Sequence, residues 1–341
     1  MKITYIYHSG FLVESADAYY IFDYYRADFP VTDADKPVYV FVSHRHPDHY
    51  NPYVFEILRE KKVRRMTGII SYDIKPRNYT SHMEGVEIIA AEPDKEYTLD
   101  NGALVRTLCS TDKGVAYVVT FDDGGVPRSV YHAGDLNDWV WEGEDERVNK
   151  WMTGSYRRYL TAVEGMHFDA VMVPVDSRQG DDMFRGIEYL LEKVKADAVY
   201  PMHYWDKPEV IMQFAGKYPQ YADIIRYTED RMDRYSVIED KNPREIVLLR
   251  GSGCVYKKCT FCDYYSDSGK DEDVNYMINR AALSQVTGKY GNIEIINSGS
   301  VFELDKRTIE LIKKRCAECM IHTIHSVSYT HLRAHETVLD L

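Results

Sequence analysis

Hydrophobic and polar positions switch in short runs through the first half of the chain. Residues 2–7, 11–14, 19–23 and 39–43 are rich in Tyr, Val, Ile and Phe and are bounded by Gly, Asp or Pro, which predicts strands. A helix is expected from Pro52, with Asn51 as its N-cap and proline at its first position. Further strands are predicted over 86–90, 104–108, 116–121 and 129–132, and a helix over 145–163. A strand at 170–175, a helix at 182–195, a strand at 198–202 and a helix from Pro208 follow. A meander that gives way to strand–helix alternation predicts an α/β unit of two packed mixed sheets with helices outside.

The stretch 228–244 is polar, and the boundary is placed there, giving a first domain over 1–231. A second unit over 232–326 opens with a strand at 245–250. A Gly/Cys-rich loop, a helix near 276–287, a strand at 293–297 and a helix at 305–316 come next. This βαβα order implies a parallel sheet. Residues 327–341 continue neither pattern and read as a non-native tail of translated vector or adapter sequence.

The net charge of −12 argues against a protein whose main task is gripping phosphate backbones. It leaves open a metal-assisted enzyme acting on a small, even anionic, substrate, because bound cations invert the local field. No run approaches the ~20 apolar residues of a membrane span or the form of a signal peptide, so a cytoplasmic location is expected. Five of the six cysteines fall after residue 250 in close clusters, a metal-like rather than a disulfide pattern.

The densest candidate chemistry is SHRHPDH at 43–49, directly after the apolar run VYVFV. Imidazoles and carboxylates are the donors of zinc and similar divalent ions. His44 and His46, two apart in an extended loop, can turn to one side, while Asp48 and His49 can reach a second ion. Two more strand ends carry matching groups. Asp135 follows Gly134 in HAGD and could bridge two cations, and His203, in PMHYW, stands at the end of the strand at 198–202. A turn aspartate and a core histidine are the alternatives for these two taken singly. Asp176 and Arg178, past another strand end, are candidates for touching substrate.

These segments, in this order, resemble the metallo-β-lactamase superfamily over about residues 1–230. The phrases HSGFLVES and YHAGDLNDW are similar to its ascorbate-6-phosphate-lactonase-like branch. The resemblance implies an αββα sandwich with the site between the sheets and two ions, zinc, manganese or iron. His44 and His46 would hold the first ion, Asp48, His49 and His203 the second, and Asp135 would bridge them. Asp23 matches the acidic residue that steadies the His-rich loop; a turn aspartate is the other reading. The family's further first-ion histidine has no counterpart in TLCSTDKGVAYVV, where Cys109, Ser110 and Asp112 are the available substitutes, with His132 and His8 nearby. The implied activity is hydrolysis of an ester, lactone or phosphodiester by metal-activated hydroxide, with Asp48 or Asp135 orienting the nucleophile and taking its proton. A metal-binding module without catalysis is the alternative from another class.

In the second unit, GSGCVYKKCTFCDYY places Cys254, Cys259 and Cys262 on one loop. Three thiolates leave one iron of a four-iron cluster open. The segment resembles the start of radical S-adenosylmethionine enzymes, which implies a [4Fe-4S] cluster binding S-adenosylmethionine, with Phe261 beside it. The first spacing is one residue longer than usual, and a structural zinc loop is the alternative. About 80 residues suffice for two βα units, each of roughly 30 or more residues, so a truncated enzyme N-terminus is expected rather than a full barrel. Met232 could open such a separate reading frame. A radical enzyme carrying an appended hydrolase-like domain is the rival reading of the whole chain. Cys316, Cys319, His322 and His325 mimic a zinc cluster but are read as a helix end and a following strand.

Overall fold

The computed structural model describes residues 1–76, 81–229, 232, 234–254 and 267–326. The chain divides into two compact units, Met1–Phe214 and Ala215–Leu341. The boundary expected at 231/232 lies inside the second.

The first unit begins with β1 (Lys2–Tyr7), β2 (Gly10–Glu14), β3 (Tyr19–Phe22), β4 (Val38–Val42), α1 (Val54–Glu60), β5 (Met66–Ser71) and β6 (Glu87–Ala91). The six strands form one sheet in sequence order, antiparallel from β1 to β3 and parallel from β3 to β6. Then come β7 (Glu96–Thr98), β8 (Leu104–Cys109), β9 (Val115–Asp122), β10 (Pro127–His132), α2 (Glu146–Leu160), β11 (His167–Phe168), β12 (Ala170–Pro174), α3 (Arg185–Lys193), β13 (Lys195–Ala196), β14 (Val199–Met202) and α4 (Glu209–Lys217). The second sheet runs β14-β12-β10-β9-β8-β7, parallel over its first three strands and antiparallel over the rest.

The two sheets face each other. Tyr117 of β9 is buried and donates its hydroxyl to the carbonyls of Val42 (2.8 Å) and Ile69 (3.2 Å) in the opposite sheet. Phe41 meets the Tyr117 ring at 5.1 Å, and Tyr20 stacks on Phe121 at 4.7 Å. This explains the abundance of tyrosine: an aromatic body fills the space between sheets while its hydroxyl satisfies a buried carbonyl. Phe55 and Leu58 of α1 cover the outer face of the first sheet with Val40 and Ile70. On the other side α2 packs on β8 and α3 on β12. The unit is thus an α/β sandwich of two mixed sheets between helices.

Several local expectations need correction. Asn51 does accept a hydrogen bond from the Tyr53 N–H (3.1 Å), but it opens a turn, and α1 starts only at Val54, so Pro52 precedes the helix. The helix expected over 145–163 is α2, N-capped by Asp145, and ends at Leu160 in a 3-10 turn. Asp182, where a helix was expected to start, ends a 3-10 turn (Ser177–Asp182) kinked at Gly180 (φ of +57°), and α3 begins only at Arg185. β5, β7, β11 and β13 had no counterpart in the pattern. β7 spans three residues without a buried one, and β5 is interrupted by Gly68, so neither shows an alternation.

The second unit contains β15 (Tyr235–Ile238), β16 (Arg244–Leu249), α5 (Glu272–Leu283), β17 (Asn292–Asn297), α6 (Lys306–Glu318) and β18 (Thr323–Ser326). β16, β17 and β18 pair in parallel, as the βα alternation implied, and β15 joins β16 antiparallel. β15 lies inside the polar stretch read as a linker. None of its side chains is buried, and Tyr235 ties it to the buried Glu245 through a 2.7 Å hydrogen bond. The helix expected near 276 starts at Glu272, where Asp271 accepts from the N–H groups of Asp273 and Val274. Among the described residues no helix is long and apolar enough to cross a membrane.

Candidate metal centre

The functional side chains stand at one edge of the sandwich because the strands that carry them end there. Asp23 follows β3, SHRHPDH follows β4, Asp112 follows β8, Asp135 follows β10, Asp176 follows β12 and His203 follows β14. The β3–β4 register sets Phe22 beside Phe41, which brings Asp23, one residue past Phe22, to Ser43, two residues past Phe41. Asp23 accepts from the Ser43 N–H (2.7 Å) and hydroxyl (2.5 Å) and pairs with His49 Nδ1 (2.7 Å). Asp23 therefore fixes which His49 nitrogen faces outward, the orienting role that a carboxylate plays behind a ligating imidazole. Asp176 does the same for His203, with its Oδ2 3.0 Å from His203 Nδ1.

Two groups of donor atoms result. His44, His46, Asp112 and Asp135 form one, and His8, Asp48, His49 and His203 form the other; within each, one ligand atom per residue lies within 4.8 Å of the rest. Asp135 reaches both. Its Oδ2 is 3.4 Å from His44 Nε2, and its Oδ1 is 3.2 Å from His49 Nε2 and 3.5 Å from His203 Nε2. The Nε2 atoms of His44 and His49 and the Oδ1 of Asp135 are buried without hydrogen-bond partners. Buried polar atoms are normally satisfied, and a set of unsatisfied donors aimed at a common point fits divalent ions.

Electrostatics follow from this crowding. Burial pushes the His44 imidazole down to about 4, so it is neutral near pH 7 and has a lone pair to offer. Burial would also depress His49, but Asp135 and Asp23 on either side hold it well above the usual histidine value. Burial would raise the Asp135 carboxyl, yet the His49 and His203 charges pull it well below the carboxylate range. Concentrated negative charge beside buried imidazoles is the arrangement that a cation relieves.

The residues singled out from sequence separate cleanly. His44, His46, Asp48, His49, Asp135 and His203 are brought together. Asp112 joins them, with its Oδ2 3.4 Å from His46 Nδ1. Cys109 does not: its thiol donates to Asp94 (3.3 Å), and burial and that carboxylate push it up to about 11. His132 does not either, because Nε2 is 2.9 Å from the Ser9 carbonyl and Nδ1 accepts from the Gly134 N–H (3.1 Å). His8 lies in the second group, away from the first-ion position it was considered for. Cys259, Cys262 and Phe261 lie outside the described residues, so of that cluster only Cys254 is seen, partly buried. Cys316 is buried in the core of the second unit and Cys319 donates to the Val286 carbonyl (3.4 Å), consistent with a helix end rather than a zinc site.

Sequence reasoning missed the rim. Three of the four tryptophans gather around the second group. Trp205 packs on His8 at 4.3 Å, Trp139 meets His203 at 5.5 Å, and Trp141 lies parallel to Trp139 at 5.9 Å. The Arg178 guanidinium stands 5.4 Å above Trp205 and 5.9 Å above Trp141, paired along one side with Asp176 and about half exposed. Only the clustering of WVW near HAGD hinted at this wall.

Residues 2–142 match the beta-lactamase superfamily domain. That match falls within the N-terminal unit, whose two mixed sheets between helices have the α/β metallo-β-lactamase fold. Among solved structures, a metallo hydrolase from Ignicoccus hospitalis is 19% identical, with 66% of this chain and 93% of that one covered and a TM-score of 0.44. An isothiocyanate hydrolase from Delia radicum gut bacteria is 15% identical, covering 66% and 95%, with a TM-score of 0.39. The queuine lyase from Clostridium spiroforme is 48% identical over 27% of this chain, with a TM-score of 0.27, and the match spans 40% of the lyase's length. A comparison with curated proteins gives no match.

Proposed function

We propose that the N-terminal unit is a metal-dependent hydrolase that acts on a small ester, lactone or phosphodiester. The observation that carries this is the convergence of two donor groups on one shared carboxylate, Asp135. His44, His46, Asp112 and Asp135 would hold one ion, and Asp48, His49, His203 and Asp135 the other. Divalent ions bound there lower the pKa of water from ~15.7 to ~7 and polarise a carbonyl or phosphoryl oxygen. The protein's part is placement. Asp23 and Asp176 fix the imidazoles of His49 and His203. Asp48, whose side chain keeps 21% of its surface exposed, is open enough to orient water and receive its proton. Arg178, standing on a tryptophan wall with its outer N–H groups free of Asp176, would anchor an anionic group of the substrate.

Two measurements test the reading: elemental analysis of protein loaded with Zn2+, Mn2+ or Fe2+, and turnover of a panel of esters, lactones and phosphodiesters. Two ions per chain and turnover are expected. One ion without turnover would instead favour a binding module. His46→Ala and Asp48→Ala are expected to abolish hydrolysis and leave the circular dichroism spectrum unchanged; full activity in either would refute the assignment. Arg178→Ala should raise KM for anionic substrates about tenfold or more, equivalent to ~1.4 kcal/mol, while neutral substrates keep theirs. Carboxylates suit manganese better than imidazoles do, so Asp112→His should shift metal retention at the first group toward zinc, as read by competition between the two metals.

For the second unit we infer the N-terminal part of a radical S-adenosylmethionine enzyme, supported by the Cys254, Cys259 and Cys262 pattern and the parallel βα units. Anaerobic reconstitution should yield about four irons and sulfides per chain. Recovery of one zinc in their place would favour the structural loop.

A further inference from the structure

His8 occupies a position where the backbone prefers glycine. β1 and β2 are joined by two residues, His8 and Ser9, with Tyr7 paired to Gly10. His8 has a φ of +59°, and a left-handed first position in a two-residue hairpin is ordinarily given to glycine. Its backbone is held on both sides: the N–H donates to the Tyr5 hydroxyl at 2.8 Å, and the carbonyl accepts from the His203 N–H at 3.1 Å. The hairpin tip is thereby pressed into the metal centre, and the ring lies 4.3 Å from both the His203 and the Trp205 rings.

The ring is fully buried, and neither nitrogen has a hydrogen-bond partner. Nε2 is 3.3 Å from Asp48 Oδ2 but is not aligned for a hydrogen bond with it. A ring needed only for packing between His203 and Trp205 would be better supplied by phenylalanine, which leaves no polar atom unsatisfied. Instead the chain places an imidazole there, in a backbone conformation that disfavours any side chain, with a donor atom within 4.8 Å of those of Asp48, His49 and His203.

We propose that His8 is a protein ligand of the second ion, giving that position three imidazoles beside its carboxylates. The proposal rests on the reading of this unit as a metal-dependent hydrolase. It also explains the Tyr5 and His203 contacts, which lock the hairpin tip against a retreat that would withdraw the ligand.

The test uses the full chain stripped by chelator and titrated with Co2+, followed by calorimetry and visible absorption. His8→Phe keeps the ring's volume and removes the donor; His8→Gly removes the donor and relieves the backbone. Both are expected to weaken the second equivalent of Co2+ by about 100-fold or more, given that even outer-shell partners of ligands are worth roughly 10–100-fold. The absorption of that equivalent should also change, while the metal-free circular dichroism spectrum stays as in the wild type. If either folded variant binds two ions with wild-type affinity and spectrum, the proposal is overturned and the hydrolase reading stands. If the wild-type chain itself binds no Co2+, both fall together.

Discussion

Asp135→Ala is expected to lower kcat/KM by about 10³-fold or more and to reduce metal content at both positions. Every other candidate ligand belongs to one group; Asp135 alone has an oxygen 3.4 Å from His44 on one side and another 3.2 Å from His49 on the other. Removing it takes a negative donor from each ion at once. A bound ion contributes several kcal/mol to transition-state charge stabilisation, and ~4 kcal/mol corresponds to about 10³ in rate. The loss should exceed that of Asp112→Ala, which touches one group only. Trp139 donates its indole N–H to the Asp135 carbonyl (2.8 Å), and Thr111 bonds the carbonyls of Asp135 and Asn137, so the backbone of the loop survives the substitution. Elemental analysis and a kinetic comparison check it. Two retained ions with a rate within tenfold of wild type would sink the bridging role.

The parts of this centre that could be read from sequence share a property: many donors in few residues, placed after an apolar run. SHRHPDH has that density, and HAGD and MHYW gain meaning from their order behind it. The replacement for the missing histidine could not be chosen that way. Cys109, Ser110 and Asp112 lie within four positions, and what separates them is where the strand ends. β8 runs through Cys109 and turns its thiol to Asp94, while Thr111 pins the following loop to the 135–137 segment and delivers Asp112 to His46.

His8 and His132 show the same limit from another direction. Both are lone histidines near strands, with no local pattern to distinguish them. Tertiary contacts decide: the Ser9 carbonyl and the Gly134 N–H satisfy His132, and nothing bonds the His8 ring nitrogens. In the fold, strands such as β1 and β9 were legible because β-branched and aromatic residues run through the element up to the turn residues that bound it. β15 was not, since it is short, lies in a polar stretch and buries none of its side chains; its antiparallel pairing with β16 and the Tyr235–Glu245 hydrogen bond hold it in place.

Gly114→Ala is expected to destabilise the first unit by about 3 kcal/mol or more, combining left-handed strain with a steric clash. Gly114 has a φ of +70°, and a Cβ built there would lie 1.9 Å from the Ser43 carbonyl oxygen and 2.7 Å from the His44 Cβ. The backbone at Ser43 cannot yield without loss, because its carbonyl accepts from the Val115 N–H (2.9 Å) and its N–H donates to Asp23 (2.7 Å). Gly102→Ala is the internal control: its φ is +84°, but no atom lies within 4 Å of the added methyl group, so it carries the strain alone. That strain costs roughly 1–2 kcal/mol. At ~2–4 °C per kcal/mol for a unit of this size, Gly114→Ala should lower Tm by about 6–12 °C. Calorimetry on both variants separates the contributions. Equal shifts would mean that the 110–114 loop does not press on the metal-bearing loop. A larger shift for Gly114→Ala, with weaker retention of the ion at His44, would show that the two loops are packed to a tolerance only glycine meets.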